Sequence, residues 1–177
     1  MLYTGKGDTG TTTAFGCNQQ RISKSSELPE ALGALDELNA FLGFVKMRST
    51  GEKRITDILL EAQETLFIIQ AETAGADKRV GKESVENVET IVNAIEKEIS
   101  PLKGFSIAGG TELSALLDVA RTLARRAERR LIAVEEAQVR ELSPETKAYM
   151  NRLSSLLFAL ARLANHLAGV PEENPRY

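Results

Sequence analysis

Leu113–Val134, LSALLDVARTLARRAERRLIAV, is the stretch whose reading decides the fold. At 100° per residue, Leu116, Leu117, Ala120, Leu123, Ala124, Ala127, Leu131 and Val134 fall on one side, the signature of a core-facing amphipathic helix. Its polar residues are unusual. Arg121, Arg125, Arg126, Arg129 and Arg130 crowd into one short segment of a chain that carries 22 basic against 25 acidic residues. Arg126 and Arg130 lie nearly opposite the apolar stripe, whereas Arg121, Arg125 and Glu128 line its edge. A guanidinium at such an edge is costly to desolvate unless something anionic meets it. The wheel therefore predicts surface ion pairs for Arg126, Arg129 and Arg130. For Arg121 and Arg125 it predicts a bound anion or a buried carboxylate.

The rest of the composition narrows what that anion can be. A chain of 177 residues that is 42% hydrophobic is long enough to bury one core. No apolar run approaches ~18 residues, so no membrane span is expected. A net charge of −3, no Trp and 5% aromatics argue against a nucleic-acid footprint or a base-stacking platform. The basic residues must serve something local and small. Cys17 is the one cysteine; it cannot close an internal disulfide and suits a reducing compartment. Met1 stands close to a functional-looking loop, which leaves no room for a signal or transit peptide, so the expected location is cytoplasmic.

Residues 1–26 carry Gly5, Gly7, Gly10 and Gly16 among Thr4, Thr9, Thr11, Thr12 and Thr13, with no apolar period. Gly5-Lys6-Gly7-Asp8-Thr9-Gly10 matches G-x-G-x-x-G literally. It is not a dinucleotide fingerprint, because that motif needs a strand before it and a helix starting on it. No Gly-Lys-Ser/Thr closes it as a P-loop. Glycine N–H groups, threonine hydroxyls and Lys6 can nonetheless wrap phosphate oxygens, with Lys24 as a second ammonium. The plain alternative is a flexible terminal segment with a solvated lysine.

Four further helices are predicted. The first runs from about Leu28 to Met47, with Pro29 in its first turn and Ser26 as its cap. Its core stripe is Leu28, Ala31, Leu35, Leu38 and Leu42. Gly33, Ala40 and Gly43 form a second, small-residue stripe around Asp36, where another helix could approach closely and Asp36 would need a cation. An arginine of the long helix is the natural partner, from the same chain or a neighbouring one. Ile55–Ala74 and Lys82–Ile99 read as plain core-facing helices. The loop from Leu102 to Glu112 then delivers Phe105 and Ile107 toward the long helix, with Phe105 as a plug under the loop in the plain reading. Ser143-Pro144 starts a last helix running to about Ala168. Asn151, Ser155, Phe158, Arg162 and Asn165 line one of its faces, read as a polar surface for a ligand or subunit. His166 has no partner spacing for a metal, and no protein-held metal is expected. The tail, 170–177, should be mobile unless it closes over something.

Five helices with short links predict one all-α domain over 1–177, an antiparallel five-helix bundle with a Gly/Thr-rich N-terminal loop. Four segments then carry a resemblance: TGKGDTGTT at Thr4–Thr12, EALGALDELNAFLG at Glu30–Gly43, VARTLARRAER at Val119–Arg129 and NRLSSLLFALAR at Asn151–Arg162. In this order they resemble the signature segments of the ATP:cob(I)alamin adenosyltransferases of the propanediol-utilisation type. The resemblance implies a homotrimer with sites at subunit interfaces. It implies transfer of the 5′-deoxyadenosyl group of ATP to cob(I)alamin, giving adenosylcobalamin and triphosphate, with Mg²⁺ on the phosphates. By position, Thr4, Gly5, Lys6, Gly10, Thr11 and Lys24 would hold ATP, and residues 1–26 would be the ATP-binding loop. Arg125, Glu128 and Asn151 would hold ribose and phosphates. Asp36 and Arg121 would form an interface ion pair, and Phe105 would press on the corrin. A cobalt reductase and an adenosylcobalamin-dependent enzyme are the protein partners implied. Leu28, Ala108, Asp118 and Ser155 depart from the usual Arg, Pro, His and Asp of the family.

Two other classes share some of these features. A non-enzymatic nucleotide-binding bundle would need the loop but no corrin surface. An all-helical nucleotide pyrophosphatase would need paired carboxylates on facing helices, a spacing that Glu61 with Glu64 and Glu86 with Glu89 supply.

Overall fold

The computed structural model describes residues 2–15, 20–102 and 104–176; Gly16 and Cys17 lie outside the described residues. Five helices make up the body: α1 (Glu27–Arg48), α2 (Lys53–Ala74), α3 (Lys82–Glu98), α4 (Glu112–Glu136) and α5 (Pro144–Leu167). A two-residue hairpin, β1 (Thr11–Thr12) against β2 (Ile22–Ser23), precedes them. The all-α reading therefore holds, with every helix within two or three residues of its expected bounds.

The apolar stripes meet as the wheels require. Leu35, Leu38 and Leu42 of α1, Leu59, Leu66 and Ile69 of α2, Leu117 and Leu131 of α4, and Leu153, Leu157 and Leu160 of α5 are all shut from solvent. Leu167 is the exception at the end of its stripe and stays exposed, because α5 stops there. Starts and stops follow local chemistry. Ser143 caps α5, its Oγ accepting from the Thr146 N–H at 3.2 Å, with Pro144 at the first position. Thr111 caps α4 in the same way, accepting from Ser114 N–H at 3.1 Å. Ser26 occupies the cap position of α1 without capping it; its hydroxyl donates to the Ser23 carbonyl and ties the helix to the hairpin instead.

Helix directions alternate along the chain, but spatial order is not chain order. α1 lies between α2 and α4, and α5 lies between α4 and α3. Arg152 Nε donates to Glu89 and Arg162 Nη2 to the Ser100 carbonyl, so α3 and α5 are neighbours running parallel. The segment after α3 must therefore cross the end of the bundle to start α4. That crossing segment carries Phe105.

One buried charge pins α5 to α2. Glu72, 1% exposed, accepts from Ser143 N–H at 2.6 Å, Thr146 Oγ1 at 2.6 Å and Ser143 Oγ at 3.2 Å, with Arg79 Nε at 3.6 Å. A carboxylate at a helix N-terminus meets unpaired N–H groups and the positive end of the dipole. Glu72→Ala strands those donors in the interior and should cost about 2–4 kcal/mol. Chemical denaturation should show the loss with an unchanged slope, and Glu72→Gln should recover part of it.

Candidate functional site

The long-helix arginines divide as their wheel positions suggest. Arg126 pairs with Glu37, and Arg130 reaches Glu30 at 3.4 Å, tying α4 to α1 across a solvated face where such pairs contribute roughly 0–1 kcal/mol each. Arg129 differs from expectation: its Nη1 donates to the Arg125 carbonyl of its own helix at 3.1 Å. Arg121 donates to Asp118 Oδ1 at 3.0 Å, one turn back, and lies 6.0 Å from the Phe158 ring centroid in a cation–π contact. Within the chain Arg121 thus has a carboxylate partner in Asp118. Arg125 has no carboxylate partner among the described residues.

Arg121 and Arg125 border an open cavity of about 620 Å³. Ser154, Ser155 and Phe158 of α5 form its opposite wall, and Leu102, Gly104, Phe105 and Ser106 of the crossing segment close one end. Phe105 is not a plug. The residue is 78% exposed beside the cavity, so covering its ring would gain about 2–3 kcal/mol of hydrophobic free energy. One turn along α4, Glu128 accepts from Asn151 Nδ2 at 3.1 Å, while Asn151 Oδ1 accepts from Arg152 Nη1 at 2.9 Å. The departure Ser155 lines the cavity wall, and the departure Leu28 is a core residue at 2% exposure.

The polar face of α5 serves two ends. Asn151, Ser155 and Phe158 belong to the cavity and its rim, but Arg162 and Asn165, expected to meet a ligand or subunit, are turned inward onto the chain itself. Arg162, 9% exposed, donates to Glu172 at 2.5 and 3.1 Å and to the Ser100 carbonyl at 2.6 Å. Asn165 Oδ1 accepts from the Thr111 N–H at 2.9 Å, and its Nδ2 donates to the Gly109 carbonyl at 2.9 Å. A Cβ on Gly110 would stand 2.5 Å from Asn165 Oδ1, and Gly110 has φ of +101°, so only glycine fits there. The tail does close over something: Ile107 N–H donates to the Glu173 carbonyl and Asn174 Nδ2 to the Phe105 carbonyl, both at 2.8 Å. Sequence reasoning missed this support, because Arg162 and Asn165 lie on the face of α5 turned away from its apolar stripe, where a wheel gives no sign that the crossing segment and the tail cover them.

The N-terminal segment folds into tight turns. Asp8 N–H donates to the Gly5 carbonyl and Gly10 N–H to the Gly7 carbonyl, with Gly5 and Gly10 at φ of +67° and +77°. Lys24 N–H donates to the Gly10 carbonyl at 3.0 Å, and its side chain crosses the turn so closely that a Cβ on Gly7 would lie 3.0 Å from Nζ. Thr4, Gly5, Lys6, Gly10, Thr11 and Lys24 are therefore gathered in one small module. Among the described residues no hydrogen bond or ion pair joins this module to the cavity between α4 and α5. Asp36 is likewise exposed and makes no ion pair among the described residues, and a Cβ on Gly33 would meet nothing within 4 Å. Gly43 is different, since a Cβ there would stand 3.2 Å from Gln63 Nε2 of α2.

A glycine-rich turn segment and short hairpin, followed by a helical bundle with an arginine-rimmed, partly aromatic cavity, define the class: an all-α protein with an open polar–aromatic site. The chain belongs to the cobalamin adenosyltransferase family, whose model matches residues 2–164. It is 36% identical to the corrinoid adenosyltransferase of Bacillus subtilis over 96% of this chain and 89% of that protein. It is 40% identical to that of Citrobacter freundii, over 92% of this chain and 93% of that protein. A solved variant of the PduO-type ATP:corrinoid adenosyltransferase from Lactobacillus reuteri, complexed with cobalamin and ATP, superposes with a TM-score of 0.90 at 29% identity. That match covers 99% of this chain and 97% of the other. Among the described residues no helix is long and apolar enough to cross a membrane.

Asn165→Ala should free the turn at Gly109–Thr111 and lower stability by about 2–3 kcal/mol, because it leaves a carbonyl and an N–H without their shared partner. Thermal unfolding should show the loss, and faster amide exchange should be confined to residues near 109–115.

Proposed function

We propose that this chain is an enzyme that transfers the 5′-deoxyadenosyl group of ATP to cob(I)alamin, releasing triphosphate. The observation that carries the reading is Arg125, a guanidinium without a carboxylate partner among the described residues, on the rim of a cavity that also holds Phe105 and Phe158. One wall is cationic and the other end is apolar, which suits a triphosphate beside a flat macrocycle. In the reaction the cobalt(I) electron pair forms the bond to C5′. The C5′–O bond breaks and its electrons leave on the triphosphate. Cobalt(I) is itself the nucleophile, so no general base is required; alignment and neutralisation of the leaving group are what remain.

The residues divide that work. Lys6, Lys24 and the N–H groups of the Gly5–Gly10 turns would bind the triphosphate, with Thr4 and Thr11 hydroxyls as further partners. Arg125 would neutralise the charge that develops on the leaving oxygen. Glu128 and Asn151, already hydrogen-bonded to each other, would fix the ribose. Phe105 would press on the corrin and displace its lower axial ligand, and Phe158 would flank it. Mg²⁺ would travel with the triphosphate oxygens.

Among the described residues no hydrogen bond or ion pair joins the N-terminal turns to the cavity, an arrangement that supports a homotrimer in which a neighbouring copy's N-terminal segment completes each site. The open small-residue face with Asp36 supports the same arrangement, Asp36 meeting Arg121 across the interface. A cobalt reductase would have to supply cobalt(I), and an adenosylcobalamin-dependent enzyme would consume the product.

An anaerobic assay with chemically reduced cobalamin and Mg-ATP tests the reading. Adenosylcobalamin with triphosphate is expected, whereas ATP binding with no product would make the chain a nucleotide-binding module. Arg125→Ala should lower kcat about 10²- to 10³-fold with unfolding unchanged, since it removes charge stabilisation and no buried contact. Unaltered turnover would overturn the assignment of Arg125. Asp36→Ala should weaken assembly, read by size exclusion at falling concentration; an unchanged trimer with unchanged melting would disprove the interface pair.

A further inference from the structure

Arg21 lies outside every group considered so far, and it is the residue around which the N-terminal module closes. Its Nε donates to Thr11 Oγ1 at 2.7 Å, and its Nη2 donates both to the Thr11 carbonyl at 2.8 Å and to the Lys6 carbonyl. One guanidinium thus joins the start of the Gly5–Gly10 turns to β1, from a position immediately before β2. We propose that Arg21 is a positioning residue of the nucleotide loop, holding it in its binding shape before ATP arrives. The inference rests on the reading of this loop as the ATP site.

Two physical reasons support it. A segment with glycine at 5, 7 and 10 has large conformational freedom to lose on binding, so a clamp that orders it beforehand raises affinity. The three atoms that Arg21 engages are all acceptors, and their partial negative charge opposes an anionic ligand. A guanidinium bonded to all three offsets that charge where Lys6 and Lys24 must attract phosphate. The planar fork matters, because Nε and Nη2 reach the Thr11 side chain and its own carbonyl side by side, a geometry that an ammonium lacks.

The test compares Arg21→Ala and Arg21→Lys with the native chain, measuring KM for ATP, kcat at saturating ATP, and amide exchange over residues 5–12 with and without ATP. Arg21 is exposed and outside the core, so both variants should keep native helix content. Arg21→Ala should raise KM for ATP about tenfold while changing kcat much less, and should speed exchange of the ATP-free loop about fivefold or more. Arg21→Lys should resemble Arg21→Ala. A raised KM with unchanged exchange would mean direct contact with the nucleotide and would overturn the positioning role. Full rescue by lysine would do the same, since charge alone would then suffice. If ATP protects no amide of residues 5–12 in the native chain, the loop is not the nucleotide site. That failure falls on the functional reading and is visible whether or not Arg21→Ala loosens the loop.

Discussion

The alanines at the centre of α4 are the constraint on which the rest depends. Ala120, Ala124 and Ala127 are fully buried where α4 is flanked by α1 and α5. Methyl side chains at that seam let both neighbours approach closely, while Leu117 and Leu131 fill the wider spaces at either end. The close approach to α5 leaves the edge residues of α4 nowhere to go but the rim. Arg121, Arg125 and Glu128 therefore meet Asn151, Ser155 and Phe158 along one groove, and the cavity is a by-product of how tightly the two helices pack.

Along α4 one residue type performs distinct tasks because its surroundings differ. Arg126 and Arg130 hold solvated carboxylates of α1, contributing little stability and fixing register. Arg121 is neutralised by Asp118 and laid over Phe158, which makes it part of the wall. Arg125 alone of these four keeps its charge uncompensated by a carboxylate among the described residues. In the proposed reaction that charge would be the one that meets the leaving triphosphate.

The aromatic end of the cavity depends on a separate layer of support. Phe105 sits on the segment that crosses the bundle because α3 and α5 run parallel. That segment is held by Asn165 and Arg162 of α5 and by Glu173 and Asn174 of the tail. None of these side chains lines the cavity wall that carries Arg121 and Arg125. They bear on the site by determining where an exposed phenylalanine stands.

Periodicity alone made the five helices, their buried faces, the Ser143-Pro144 start and the edge position of Arg121 and Arg125 legible, because these follow from angles along one helix. The non-helical N-terminal segment was legible from residue type, since its glycines permit the positive φ that the turns at Gly5 and Gly10 adopt. What covers each face was not. Glu72 and Thr146 are 74 positions apart, and Asn165 and Thr111 are 54 apart; a wheel reports that a side chain points inward without naming what it meets. The same gap let Arg162 read as a ligand or subunit contact when it anchors the tail, and hid Arg21 altogether. The chain thus determined by itself which residues form helices, which faces are apolar and which cations stand at an edge. Tertiary structure decided the pairing of those cations, the parallel placement of α3 and α5 and the exposure of Phe105, because each depends on contacts between segments far apart in sequence.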